Sequence, residues 1–201
     1  MKRCMIWILV LTICLLSATG TMAETDRSRG QGGSRNDASM ALLNEGIALM
    51  NGDGVDRDYE AAMARFLAAD VAGNRKAARY VGMMYEQGLG VDPDYALAAE
   101  YYEKGVESGD LTSIYYLGLL YEQGLGVEQD YGKAAELYAE VSASDNKSAT
   151  GVVAAGYVLG RLYEQGLGVE QDLSRALALY REAAEYGNED AAAALERLGA
   201  E

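Results

Sequence analysis

The residues best placed to do chemistry are three glutamates, Glu86, Glu122 and Glu164, because nearby carboxylates can serve as general acid and general base. Each glutamate lies in the same heptapeptide, YEQGLGV, which occupies residues 85–91, 121–127 and 163–169. A residue that recurs because its whole segment recurs is better explained by the architecture than by catalysis. We therefore assign no catalytic residue.

Composition excludes most other kinds of catalytic and metal site. The chain has no histidine, and its two cysteines, Cys4 and Cys14, lie within the first 23 residues. Ser/His/Asp and Cys/His catalysis and nearly all zinc or copper sites are thereby excluded. The acidic segment around Asp53 and Asp58 lacks the ligand order of a calcium loop, and no phosphate-binding glycine loop follows a strand. The sequence predicts no metal and no cofactor.

The first 23 residues have the pattern of a secretory signal peptide. Lys2 and Arg3 precede an apolar run over residues 4–16, and small or polar residues lead to Ala23. We expect cleavage after Ala23 and a periplasmic or secreted protein. An uncleaved membrane anchor is the alternative, although the run is short for a span of about 20 residues. Residues 24–37 are polar and aperiodic, which predicts a flexible leader.

The chain is strongly acidic, with 17 basic against 31 acidic residues and a net charge of −14. Removal of Lys2 and Arg3 with the signal peptide would leave a formal charge of −16 on the mature chain. Such a surface repels nucleic acid and anionic membranes and favours basic partners. We expect a protein or peptide partner, no nucleic acid, and no membrane insertion after signal cleavage. The oligomeric state is left open.

The recurring heptapeptide belongs to a longer repeat. Its copies start 36 and then 42 residues apart, and residues 49–55, LMNGDGV, form a degenerate first copy. Such a period is typical of stacked helical repeats. In the second copy, Val81 and Met84 share one helix face, Gly88 follows at the helix end, and Asp94 can cap a second helix. Each repeat is therefore predicted to be a pair of helices.

We predict an all-α solenoid of about four such repeats followed by a capping helix. The repeats span residues 38–73, 74–109, 110–151 and 152–187, and the capping helix spans residues 188–199. Glu196 replaces the glycine that the other copies carry, which suits a helix with a polar outer side.

Four sites recur in all copies. They are a glycine (Gly46, Gly82, Gly118, Gly160), an alanine (Ala62, Ala98, Ala134, Ala176), an aromatic residue (Phe66, Tyr102, Tyr138, Tyr180) and an aspartate that can cap the second helix (Asp58, Asp94, Asp130, Asp172). Glycine inside a helix costs about 1 kcal/mol relative to alanine. We expect its recurrence to reflect a close approach of the two helices in each pair.

One copy is irregular. Six extra residues, within residues 145–151, separate the third repeat from the fourth. We interpret them as a longer surface loop or an added helical turn. The alternative is a binding protrusion, because insertions in repeat proteins often lie on the binding face.

The repeat resembles the Sel-one-like repeats, which are relatives of the tetratricopeptide repeat. One copy carries the whole pattern in Leu117, Gly118, Tyr121, Gly124, Gly126, Val127, Asp130, Ala134, Ala135 and Tyr138. The resemblance implies a right-handed α/α superhelix that acts as a binding scaffold or adaptor, often in envelope signalling, secretion or host contact. The disulfides of cysteine-rich members cannot form here, and tyrosine stands at the aromatic site where many members have tryptophan.

By analogy with tetratricopeptide repeats, the first helices line the concave side, and positions flanking the recurrent glycine point into the groove. These positions hold Arg79, Tyr80, Met83, Tyr115, Tyr116, Leu119, Tyr157, Val158 and Arg161. Aromatic and thioether side chains provide contact area, and arginines at each end provide charge that orients a peptide. Packing between adjacent first helices is the alternative explanation of these residues.

The sequence therefore favours a non-enzymatic scaffold or adaptor that binds a peptide or protein segment in this groove, with a role in signalling or secretion at the bacterial envelope or outside the cell. Two alternatives remain. One is a hydrolase that acts on cell-wall material through carboxylates, and the other is a purely structural spacer of the envelope.

Overall fold

The structure is a computed structural model that describes residues 31–147 and 151–200, with side chains described from residue 36 onward. These residues form nine α-helices and no strand. The helices are α1 (Gln31–Asn51), α2 (Tyr59–Val71), α3 (Ala77–Gln87), α4 (Tyr95–Glu107), α5 (Leu111–Gln123), α6 (Tyr131–Ser142), α7 (Val152–Gln165), α8 (Leu173–Glu185) and α9 (Glu189–Arg197). The all-α prediction is confirmed. The expected signal peptide, residues 1–23, and residues 24–30 of the leader lie outside the described residues.

The helices follow one another as four pairs and a terminal helix. From α2 onward each helix contacts the next one in the chain, and α5 also contacts α7, the first helix of the following pair. Contacts between neighbouring pairs, repeated along the chain, are the defining property of a solenoid. No helix in the described part of the chain has both the length and the apolar character needed to cross a membrane.

The second helix of each pair begins at the predicted aspartate. Each of these aspartates has extended backbone geometry, and its carboxylate accepts a hydrogen bond of 2.9–3.1 Å from the amide three residues later. A side-chain cap of this kind stabilises a helix by about 1 kcal/mol. The predicted caps, Asp58, Asp94, Asp130 and Asp172, are confirmed.

The two glycines of each YEQGLGV segment have different roles. Gly124 ends α5 in the left-handed conformation, with φ 68° and its amide bonded to the carbonyl oxygen of Leu120. Gly126, with φ 71°, lies against the start of α4 in the preceding repeat, where a Cβ would overlap the backbone carbonyl of Tyr95. The first glycine therefore turns the chain, and the second sets the distance between one repeat and the next.

The recurrent helical glycine contacts the recurrent aromatic ring of the same repeat. A Cβ on Gly118 would lie 2.7 Å from Cε1 of Tyr138, and Gly82 and Gly160 meet Tyr102 and Tyr180 at the same distance. All four aromatic rings, counting Phe66 opposite Gly46, are at most 1% exposed. The predicted close approach of the two helices is confirmed, and the aromatic ring fills the space that the glycine leaves.

The core is divided along the array into clusters that each hold one of these rings. Leu43, Phe66 and Val81 belong to the cluster that joins α1, α2 and α3. Tyr138 belongs with Val152 to the cluster that joins α5, α6 and α7. Because each cluster includes residues from the next repeat or from α9, neighbouring parts of the array stabilise one another.

The terminal helix α9 covers the last pair. Asn188 caps it by accepting a hydrogen bond of 2.8 Å from the amide of Ala191. Ala191 and Ala194 are buried against α8, whereas Glu196 is exposed. In the described residues no second helix packs on α9. No aromatic ring therefore has to fit against this position, and Glu196 can stand where the other copies have glycine.

Helix α1 begins earlier than the sequence indicated. Its first residue is Gln31, so residues 31–37 of the predicted flexible leader are helical in the structure. A helix that is already nucleated adds one backbone hydrogen bond for each further residue. The buried residues Ser39 and Leu43 therefore allow α1 to extend toward the amino terminus through residues without an apolar pattern of their own.

The irregular segment before α7 is described only in part, because residues 148–150 lie outside the described residues. The Lys147 ammonium donates a hydrogen bond of 2.8 Å to the carbonyl oxygen of Ser142 and pairs with Oε1 of Glu182 at 2.7 Å. The described end of the insertion is thus held against α6 and α8. A binding role for residues 145–151 stays a prediction.

Candidate binding face

The predicted groove residues lie on the first helices α3, α5 and α7, and all of them except Val158 are half-buried. We call the following set the first-helix face: Arg79, Tyr80, Met83, Tyr115, Tyr116, Leu119, Tyr157 and Arg161. Val158, which the sequence placed with them, is only 8% exposed and belongs to the core. The half-buried members keep part of their surface available to a partner.

Tyrosines of this face stack on the buried rings of the preceding repeat. Tyr80 stacks on Phe66 with ring centroids 4.8 Å apart and an interplanar angle of 14°. Tyr116 stacks on Tyr102 with centroids 5.4 Å apart and the same angle. Part of each half-buried ring is therefore used for packing between repeats, against the second helix of the preceding pair.

Two further tyrosines of the face contact the buried ring of their own repeat. Tyr115 lies 6.0 Å from Tyr138 and Tyr157 lies 5.8 Å from Tyr180, in tilted arrangements. Tyr115 also meets Tyr116 edge to face at 5.6 Å. Aromatic pairs at these separations each contribute about 0.5–1.5 kcal/mol beyond area burial, so the tyrosines of the face have fixed orientations.

The arginine at the first end of the face is already paired. Nη1 of Arg79 lies 3.1 Å from Oδ1 of Asp110, and its guanidinium lies 4.9 Å from the ring centroid of Tyr80. Asp110 is also the cap of α5, where it accepts hydrogen bonds from the amide and hydroxyl of Ser113. Arg79 therefore joins two repeats and is not the free cation that the sequence suggested.

The three recurrent glutamates accept hydrogen bonds from the buried tyrosines. Tyr138 donates to Oε2 of Glu122 at 2.8 Å, Tyr180 donates to Glu164 at 2.7 Å, and Tyr102 donates to Glu86. These contacts explain why the glutamates recur with the repeat. They also pair each buried hydroxyl, which would otherwise carry a desolvation cost of about 1–3 kcal/mol.

The degenerate first repeat supports this interpretation, because both members of the pair change together. Phe66 replaces the tyrosine, and Met50 occupies the glutamate position. A ring without a hydroxyl needs no acceptor, so an apolar pair takes the place of a polar one. Sequence reasoning missed this role of the glutamates, although the joint change in the first copy was a usable signal.

Burial and the neighbouring carboxylates raise the pKa of the three buried tyrosines that donate to the glutamates. For Tyr102, burial has the largest effect, followed by the hydrogen bond to Glu86. The pKa values of Tyr138 and Tyr180 are raised by burial and by Glu122 and Glu164 respectively. All three phenols stay protonated in the folded protein at pH values where an ordinary tyrosine ionises.

Because these three pKa values are raised, we expect the protein to lose stability at alkaline pH. In the folded protein the pKa of each of these three phenols lies above the ordinary tyrosine value of 10.0. The stability that the protonated phenols contribute is therefore complete below pH 10 and is lost as the pH rises beyond it. The tyrosinate absorbance that comes from Tyr102, Tyr138 and Tyr180 should appear only as the helical circular dichroism is lost. Complete ionisation with intact helices would contradict the assignment.

A double-mutant cycle tests the hydrogen bond between Tyr102 and Glu86. We expect Glu86→Met to destabilise the fold by about 1–3 kcal/mol because the buried hydroxyl loses its acceptor, and Tyr102→Phe to cost about 1 kcal/mol. The double variant reproduces the pair found in the first repeat and should be close to neutral. Free energies of unfolding from denaturant titration give the coupling. Additive effects would show that the two side chains act independently.

Two of the glutamates are also paired with an arginine, one from the next repeat and one from the terminal helix α9. The Arg161 guanidinium on α7 pairs with Oε1 of Glu122 on α5, and Nη2 of Arg197 on α9 lies 2.8 Å from Oε2 of Glu164. The hydrogen bond from Arg197 is the main reason why the pKa of Glu164 is lowered. The second predicted orienting arginine, Arg161, is thus engaged by a carboxylate of the chain itself.

In the described part of the chain, no group of three or more His, Cys, Asp or Glu side chains has the arrangement of a metal site. The acidic residues between α1 and α2 have local structural partners. Asp53 accepts a hydrogen bond of 3.0 Å from the side-chain amide of Asn51, and Asp58 caps α2. This segment corresponds to the ordinary turn of the other repeats.

Comparison with known proteins agrees with this architecture. The Sel1 repeat family model matches residues 39–64, 75–110, 112–142 and 153–188. None of the curated proteins compared with the chain matches it.

Solved structures with Sel1 repeats are also similar. A protective antigen present in uropathogenic Escherichia coli strains, which displays an SLR fold, is 31% identical with a TM-score of 0.68 over 76% of this chain and 32% of its own. A Sel1 repeat protein from Oxalobacter formigenes is 27% identical with a TM-score of 0.68 over 81% of this chain and 64% of its own. The present chain therefore spans less than two thirds of either protein. Its repeats place it in the Sel1 repeat family, to which it belongs.

Proposed function

We propose that this chain is a non-enzymatic scaffold or adaptor that binds a peptide or protein segment along the first-helix face. Sel1 repeat proteins are generally protein-interaction scaffolds and are typically not enzymes. The observation that carries the proposal is that Tyr80 and Tyr116 each stack on a fully buried ring. An aromatic side chain that is already fixed loses little conformational entropy when a partner binds.

The carboxylate hydrolase has less support from the structure. The glutamates that suggested it, Glu86, Glu122 and Glu164, each accept a hydrogen bond from a buried tyrosine. That contact gives them a structural role in every full repeat.

We further propose that the protein works in the periplasm or outside the cell, as an adaptor in signalling or secretion. The apolar run behind Lys2 and Arg3 and the small residues that end at Ala23 support export. The absence of cysteine after residue 14 is compatible with an oxidising compartment, since no thiol is available to pair wrongly.

Site-specific crosslinking in the native host tests the face. Met83 or Leu119 is replaced by a photoreactive phenylalanine analogue, and the same analogue at the exposed Glu136 of α6 is the matched control. We expect a discrete crosslinked protein from the two first-helix positions and none from the control.

Equal crosslinking from all three positions would place the partner elsewhere on the molecule. Crosslinks from none of them, at low or high salt, would favour the purely structural spacer. A turnover assay of the same protein on cell-wall material, negative for the unmodified chain, separates the scaffold from the hydrolase.

The acidic surface gives a prediction about salt. A net charge of −14 attracts a basic partner over a Debye length of about 10 Å at 0.1 M salt, which shortens to about 3 Å at 1 M. We expect the crosslinking yield at Met83 to fall severalfold over this range through a slower association rate. A yield that does not change would indicate a partner held by apolar contacts alone.

A further inference from the structure

We propose that Glu86 is the anchoring point for an arginine of the bound segment, in a site between α3 and α5. The inference rests on the proposed function and adds the chemistry of the partner. The segment would carry a guanidinium that pairs with the Glu86 carboxylate beside the ring of Tyr116.

The later repeats show which side chain fits this position. Glu122 and Glu164 each receive a guanidinium from the next helix pair or from α9, through Arg161 and Arg197. Those two arginines lie 36 residues apart at equivalent positions, each one residue after the site of the recurrent glycine. The chain itself therefore fills two of its three glutamate sites with arginine.

The third glutamate, Glu86, has no arginine partner in the part of the chain that the structure describes. Leu119 occupies the position that corresponds to Arg161, and Glu86 makes no ion pair with any of the described residues. Its hydrogen bond there comes from Tyr102. Between the first and second repeats both equivalent positions are apolar. Met50 stands in place of the glutamate, and Met83 stands in place of the arginine. Only between α3 and α5 is the carboxylate kept while the arginine is absent.

The surroundings of Glu86 suit a guanidinium. Tyr116 stacks on Tyr102, the donor to Glu86. After burial, the charge of Glu86 is the largest cause that raises the pKa of Tyr116, which shows that the carboxylate is near. A planar guanidinium can bind a carboxylate while it lies over an aromatic ring, as Arg79 does with Asp110 and Tyr80.

The chain's own nearby cation, Arg79, lies close enough for its charge to lower the pKa of Tyr102 and Tyr116, but it forms no ion pair with Glu86 in the described residues. Arg79 is held by Asp110, the cap of α5, with both side chains largely buried. The acidic charge of the whole chain also favours a cationic ligand over an anionic one. These observations select a basic segment with an arginine as the occupant.

A phage-displayed library of random linear peptides, selected on the purified chain, provides the probe. We expect enrichment of peptides that share one arginine next to apolar residues. A labelled selected peptide should lose at least about tenfold in affinity for Glu86→Gln, which keeps an acceptor for Tyr102, a change of about 1.4 kcal/mol.

Two reciprocal variants make the test specific. Leu119→Arg copies the arrangement of Arg161 and should block the site with the chain's own guanidinium, with a similar loss of affinity and unchanged thermal unfolding. Arg161→Leu should free Glu122, and a peptide with two arginines should then bind more tightly than it binds the unmodified chain.

Enriched peptides without arginine, or equal affinity for the unmodified chain, Glu86→Gln and Leu119→Arg, would overturn this inference and leave the proposed function intact. A failure to enrich any peptide together with no crosslink from Met83 would overturn both. Dimerisation of the chain that Glu86→Gln abolishes, measured by sedimentation, would make a second copy the occupant and also overturn the inference.

Discussion

Gly126→Ala should separate the array into two parts that unfold independently. A Cβ at this position would overlap the backbone carbonyl of Tyr95, at the start of α4 in the preceding repeat. Backbone atoms inside a capped helix cannot move aside as a flexible side chain can. The stacking of the second repeat on the third should be lost, at a cost of about 3 kcal/mol or more from overpacking and left-handed strain.

Gly54→Ala is the matched control. Gly54 is the same residue of the first repeat, has a similar φ of 74°, and a Cβ added to it would have no heavy atom within 4 Å. It should show only the left-handed strain of about 1–2 kcal/mol. Denaturant titration followed by circular dichroism distinguishes the two. Gly126→Ala should give a broader transition with a smaller m-value, because the repeats lose their coupling. Equal effects of the two variants would show that Gly126 has no role in stacking.

The framework of each repeat could be predicted from sequence because its determinants are local. A capping aspartate such as Asp130 bonds an amide three residues away, and Gly124 acts on the helix that it directly follows. The contact between Gly118 and Tyr138 spans one helix pair, and its recurrence in every copy made it visible. Such signals depend on residue type and spacing, which a single sequence contains.

The candidate site was harder to predict because the relevant contacts join different repeats. Pairing of Arg161 with Glu122 joins residues 39 positions apart, across the irregular insertion. Stacking of Tyr116 on Tyr102 depends on how one repeat is placed on the previous one. The residues of the face stay a prediction from the sequence, which assigned Arg79 and Arg161 to a ligand although each has a carboxylate partner in the structure.

The start of α1 was misplaced for a different reason. Helix propagation beyond the packed residues depends on backbone hydrogen bonds and leaves no apolar pattern in the sequence. The polar residues before Ser39 therefore looked like a leader although residues 31–37 are helical.

Gly118→Ala should destabilise the fold although alanine is the better helix former. The new Cβ would lie 2.7 Å from Cε1 and 3.1 Å from Cδ1 of Tyr138. The ring cannot retreat easily, because it is fully buried and its hydroxyl is bonded to Glu122 at 2.8 Å. We expect a loss of about 1–3 kcal/mol from overpacking, measured as the free energy of unfolding.

Gly156→Ala, also in the first helix of a pair, should have the opposite effect on stability. Gly156 lies inside α7, and the nearest atom to its Cβ would be Cβ of Ser142 at 3.9 Å, an ordinary contact. Without a clash, the better helix propensity of alanine should stabilise the protein by up to about 1 kcal/mol. The two substitutions are chemically identical, so opposite signs can come only from the ring of Tyr138. Stabilisation by both variants would mean that close helix packing does not require the recurrent glycine, and the contact between Gly118 and Tyr138 would then not explain why that glycine recurs.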